Sequence, residues 1–224
     1  MGRIIAPLPP PPPKAKPRFR GVLHEIAFFV SLVAGPALVA AAPDGGPKVA
    51  TAVYTLSTTA LFGVSALLHR RTWSPRARRL MRRLDHSMIF FLIAGTYTAT
   101  VGIVLSPTSA LVILLAVWIG GAVGVIVELF WLGAPKWVIA VPYVVVGWVA
   151  IGALPQLARA LGPGGLALLL GGGLAYTAGA GVYALHRPDP FPALFGYHEV
   201  FHGLTVVAAV AHYVLIAGYV LPRA

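Results

Sequence analysis

Seven apolar runs, each close to the roughly 20 residues that a helix needs to cross a bilayer, dominate the chain. They lie at about residues 22–42, 48–68, 86–105, 109–131, 137–155, 164–185 and 198–220. A segment in hydrocarbon must satisfy its own backbone hydrogen bonds, and within one segment only a helix does so. The runs therefore predict an all-α fold, an integral membrane bundle of seven transmembrane helices. Composition agrees: 10% of the 224 residues are charged, 58% are hydrophobic and the mean hydropathy is +0.83, whereas a soluble domain is about one quarter charged. The segments between the runs, APDGGP, RRTWSPRARRLMRR, SPTS, LGAPK, RALGPGG and HRPDPFP, hold the Pro, Gly and charge that punctuate helices. Residues 21–224 read as one transmembrane domain. Residues 1–20, MGRIIAPLPPPPPKAKPRFR, read as a basic, proline-rich disordered tail. A basic start, an apolar run and ALVAAAP also resemble a cleaved signal peptide, but the run is long for a signal core and carries His24 and Glu25.

The positive charges set the expected orientation, because Lys and Arg favour the cytoplasmic side of membrane proteins. With the N-terminus inside, the cytoplasmic segments hold Arg3, Lys14, Lys16, Arg18 and Arg20, the seven arginines between Arg70 and Arg83, and then Lys136 and Arg187. These are fourteen of the seventeen basic residues, leaving Lys48, Arg159 and Arg223 outside. The C-terminus then faces outward, and the expected location is the plasma membrane. A formal charge of +11 is thus a topology signal, with attraction to anionic lipid headgroups as a second effect, and implies no nucleic-acid partner.

The remaining polar residues gather at one level. Glu25, Asp85, Glu128 and Glu199 fall in or beside the cytoplasmic ends of the runs, as do His24, His69, His86, His186, His198 and His202, while His212 sits deeper. Ionisable groups in spans normally face the bundle interior or a watery cavity, so a polar pocket open to the cytoplasm is expected. His198 and His202, in HEVFH, are four apart and share a helical face. Ser65 and His69, in SALLHRR, have the same spacing near the end of the second run, and Asp85 opens the third across the basic loop. With no cysteine in the chain, imidazole and carboxylate are the available metal ligands.

Two metal arrangements fit this pattern. HEVFH is an HExxH, the helix motif in which two histidines hold zinc and the glutamate is the general base of a metalloprotease; Asp85 would then be the third ligand and Glu199 the base. Alternatively, His69, His198 and His202 supply three imidazoles and leave one position for water, as in catalytic zinc sites. Haem between His69 and His202 is a further possibility. His24, His86, His186 and His212 read as packing or interfacial residues, Glu128 as the partner of a nearby base, and the glycines of LGGGLAYTAGAGVYA as helix-packing positions.

SALLHRRTWSPRARRLMRRLDHSMIFFLIAGTYT together with FGYHEVFH resembles the hemolysin III family, the bacterial branch of the progestin and adiponectin receptor superfamily. The resemblance spans the chain from about residue 20 onward. It implies a zinc ion held by His69, His198 and His202, with Asp85 activating the metal-bound water and Ser65 supporting Asp85. Glu199 then has no required role. Ala99 stands where the family pattern has Pro after GTYT, Leu68 stands where an aromatic often precedes the histidine, and the first run lacks a His-Gly pair. The arrangement is similar to that of alkaline ceramidases, which implies zinc-dependent hydrolysis of a lipid amide or ester entering from the inner leaflet. The competing expectations are a structural zinc in a protein of membrane homeostasis or sensing, and the cytolytic role in the family name, for which these residues supply no physical mechanism.

Overall fold

The computed structural model describes residues 16–131 and 135–224; residues 1–15, most of the expected proline-rich tail, lie outside the described residues. Among those described, no strand is formed. The helices are α1 (Val22–Ala41), α2 (Gly46–Arg70), α3 (Pro75–Val104), α4 (Pro107–Phe130), α5 (Lys136–Gly147), α6 (Leu154–Leu185) and α7 (Tyr197–Leu215). A 3₁₀ turn, Val149–Ala153, joins α5 to α6, and a π-helical turn at Ile216–Val220 extends α7. Among the described residues, six stretches are long and apolar enough to cross a membrane, the fifth being the continuous segment Ala140–Leu185.

Local chemistry explains where the helices begin. Proline stands in the first turn of α2, α3, α4 and α6, where its missing N–H costs nothing. Ser74 and Ser106 cap α3 and α4 by accepting the amides of Ala77 and Ser109. The Ser74-Pro75 start corrects the expected third span. Helix α3 begins eleven residues before 86, so Arg76, Arg78, Arg79, Arg82 and Arg83 ride on helix and not on a loop. Thirty residues make a helix of about 45 Å, longer than the roughly 30 Å hydrocarbon layer, and the basic turns form the excess.

The expected break between the fifth and sixth runs falls at one residue. Gly162 has φ 68° and ψ 179° inside α6, followed by Pro163, a conformation essentially open only to glycine. The indole of Trp148 donates to Thr177 Oγ1 at 2.9 Å, so the chain doubles back between them. The returning half of α6 packs on α7 through glycines. A Cβ on Gly165 would stand 3.1 Å from Tyr219, one on Gly172 2.4 Å from His212, and one on Gly179 3.3 Å from Phe201. Gly171 and Gly181 face open space, so only part of the glycine-rich run serves packing.

The bundle buries polar side chains within an apolar core and is apolar outside. Thr51, Ser57, Ser65, Thr96, Thr100 and Thr205 are buried beside Leu61, Phe62, Phe90 and Leu215, while Phe29, Val33, Leu56, Val112, Ile119 and Phe130 are exposed. Helices α2 and α3 approach most closely at Gly95, where an added Cβ would lie 2.1 Å from Ser57 Oγ and 3.2 Å from the Val53 carbonyl. Backbone on one side leaves no room to yield. Gly95→Val is therefore expected to destabilise the protein by about 1–3 kcal/mol, read as a lower unfolding midpoint in detergent.

Candidate metal centre

Helix α7 starts where its own sequence provides caps. Glu199, three residues into the helix, accepts the Gly196 amide through Oε2 at 2.8 Å, and Asp189 Oδ1 accepts the Tyr197 amide at 2.9 Å. Fixing the first turn aims His198 and His202 across to the last turn of α2, which carries His69. One ring nitrogen from each of His69, His198 and His202 lies within 4.8 Å of the others, and the Nε2 atoms of His69 and His198 are 3.1 Å apart. Two zinc–nitrogen bonds of 2.0–2.1 Å at a tetrahedral angle set their nitrogens about 3.3 Å apart. The donor set therefore fits a metal ion: three imidazoles, two of them buried, with no thiolate in the chain.

Asp85, in α3, stands beside this trio. Its Oδ2 is 3.9 Å from His69 Nε2, and Ser65, one turn before His69, lines the same cavity as Asp85. Thus Ser65, His69, Asp85, His198 and His202, delivered by α2, α3 and α7, meet in one place. With the exception of His69, they line a cavity enclosing about 1120 Å³ of empty space, part of it open to the outside. Leu61, Ile89, Leu92, Ile93, Val144, Trp148 and Phe201 make most of its wall apolar.

Glu199 is 1% exposed, and both of its oxygens are engaged. Besides capping α7, it pairs through Oε1 with Arg20. The HEVFH glutamate thus orients the helix that carries the two histidines, and nothing in its surroundings marks it as a base.

Arg20 is a residue that motif reading does not find. Residues 16–20, placed in the tail by composition, are strapped across this end of the bundle. The amides of Arg18 and Phe19 donate to the carbonyls of Ala193 and Leu194, each at 3.1 Å, and Lys16 donates to the His69 carbonyl. Burial and the nearby Arg78, Arg20 and Arg70 lower the Lys16 pKa. Gly21 lets the strap close: φ is +84°, and a Cβ there would lie 2.6 Å from His69 Cβ. His24 follows one turn later, 3% exposed, its ring stacked on His202 at 3.7 Å between centroids and 5° between planes. It belongs to the wall of the site. The shared membrane level of His24 and the other histidines was the available signal.

Comparisons with known proteins find relatives over most of the chain. The family described as Haemolysin-III related matches residues 14–213. "Hemolysin-3" of Bacillus cereus is 31% identical over 206 residues, covering 91% of this chain and 91% of that protein. "Hemolysin-3 homolog" of Bacillus subtilis (strain 168) is 27% identical over 201 residues, covering 88% of this chain and 91% of the relative. No solved structure matches the chain significantly.

Arg20 pairs with Glu199, which caps the helix carrying His198 and His202, so its loss is expected to act as a positioning defect. Arg20→Gln is expected to weaken metal retention by about tenfold, measured by competition with a chelator, while Arg20→Lys retains most of the affinity.

Proposed function

The chain belongs to the Haemolysin-III related family, and from that premise we propose that it is a seven-crossing membrane protein that binds zinc and hydrolyses an amide or ester bond of a membrane lipid. The observation that carries this reading is the convergence of His69, His198 and His202, with the Asp85 carboxylate beside them, on the edge of a largely apolar cavity. Seven crossings follow from counting the two limbs on either side of Gly162 separately. The concentration of arginine in the segment from Arg70 to Arg83 and in the strap supports a cytoplasmic N-terminus and an outward C-terminus in the plasma membrane.

A zinc ion bound to the three imidazoles would supply a water of near-neutral pKa and a Lewis acid for a carbonyl oxygen. The residues of the chain do the rest. Asp85 accepts the water proton and returns it to the leaving amine or alcohol, and Ser65 holds the Asp85 carboxylate in register. Leu61, Leu92 and Phe201 receive the acyl chain and exclude bulk water. Membrane lipid is therefore the partner this reading assigns.

Elemental mass spectrometry of the purified protein is expected to find about one zinc ion per chain, lost in His69→Ala and in His202→Ala. Asp85→Asn keeps the metal and lowers hydrolysis of N-acyl lipids by about 10²–10⁴-fold. Metal that disappears with Asp85 identifies a closed four-ligand staple and overturns the catalytic reading. Metal that survives loss of His69 overturns the site itself.

A further inference from the structure

Glu128 lies near the end of α4 and is 9% exposed among apolar residues. A carboxylate buried in a membrane-spanning bundle is retained only with partners, and this one has two. His86 Nδ1 lies 3.2 Å from Oε2, and the Tyr143 hydroxyl donates to Oε1 at 3.0 Å. That hydroxyl is also 3.3 Å from the His86 carbonyl, so α3, α4 and α5 are tied at one point. Because the carboxylate accepts at both oxygens, the neutral form of the imidazole carries its proton on Nδ1 and leaves Nε2 as an acceptor.

His86 and Tyr143 line the same cavity as Ser65, Asp85, His198 and His202. The Tyr183 ring stands between the two clusters, its centroid 6.3 Å from that of His86 and 6.0 Å from that of His198. None of His86, Glu128 and Tyr143 is needed for the metal centre. The cavity therefore has two clusters of ionisable side chains facing one another across Tyr183, on a wall that is largely apolar but also carries Thr96, Thr177, Thr205 and His212.

We propose that His86, oriented by Glu128 and Tyr143, forms a second binding subsite whose Nε2 accepts a hydrogen bond from an O–H or N–H group of a single-chain amphiphile occupying the cavity. The chemistry selects a donor. The Tyr143 proton is committed to Glu128, and an imidazole that donates through Nδ1 has only an acceptor left to present. A lipid with a free hydroxyl, amine or amide N–H satisfies it, whereas an ester without such a group leaves the acceptor unpaired. This inference rests on the lipid-binding part of the reading above and not on hydrolysis.

The test uses the full chain in detergent micelles and two probes, N-hexadecanoyl ethanolamine, which carries an O–H and an N–H, and methyl hexadecanoate, which carries neither. Binding is read from the ligand-dependent rise of the unfolding midpoint, followed by tryptophan fluorescence. The expected result is about tenfold tighter binding of the ethanolamide. His86→Asn keeps a donor near the Nδ1 position and deletes Nε2, so it erases the preference while leaving the unliganded midpoint and the metal content unchanged. Glu128→Gln, a second variant, frees the ring to take the other tautomer and also loses the preference. Equal binding of the two probes, binding of neither, or a preference that survives both substitutions overturns the proposal. Hydrolysis of the ethanolamide is scored separately. Preference without hydrolysis sinks the zinc-hydrolase reading alone, and hydrolysis without preference sinks the subsite alone.

Discussion

The cost of an unpaired ionisable group inside a membrane bundle organises everything else in this molecule. Its outer surface is largely apolar side chain, so most carboxylates within the helices find a partner among the other side chains, while His24 keeps two buried ring nitrogens unbonded among the described residues and is held by stacking on His202. Glu199 pairs with Arg20, Glu128 with His86, and Glu25 with Arg70. Three further imidazoles, those of His69, His198 and His202, are aimed at one another and could hold a metal ion. The close approach of α2 and α3 at Gly95 and the capped first turn of α7 are the conditions for that meeting.

The same accounting separates two chemistries that share one motif. In a metalloprotease helix of HExxH type the glutamate works as the base. Here the glutamate is spent on a helix amide and on a guanidinium from the strap at residues 16–20. The carboxylate near the histidines is instead Asp85, from another helix. A motif lists which side chains are available on a face, and the surroundings decide which of them has a free lone pair.

His198, His202 and Asp85 lie on the wall of a partly open cavity whose lining, including Leu61, Ile89, Leu92 and Phe201, is largely apolar. The strap, the stacked His24 ring and the Tyr183 ring narrow the polar end. The lining contains few charges, which strengthens each remaining electrostatic contact.

Much of the architecture was legible in the sequence, since it depends on interactions within one or two turns. Apolar run length gave the helices, Pro- and Gly-rich segments marked most of their ends, the local Ser74-Pro75 start of α3 excepted, and the spacings of Ser65 with His69 and of His198 with His202 placed each pair on one face. The three-histidine grouping could be anticipated because those pairs and Asp85 share a depth. Other features were decided only by tertiary packing. Residues 16–20, basic and proline-rich by composition, become a strap because the carbonyls of Ala193 and Leu194 and the Glu199 carboxylate lie where they can be met. The pairing of His86 with Glu128 joins residues 42 apart, and no local pattern encodes it. Helix formation and capping are short-range, so the sequence by itself determines them; the partner of a buried charge is whichever complementary group the packed helices bring within hydrogen-bonding distance, and that choice belongs to the tertiary structure.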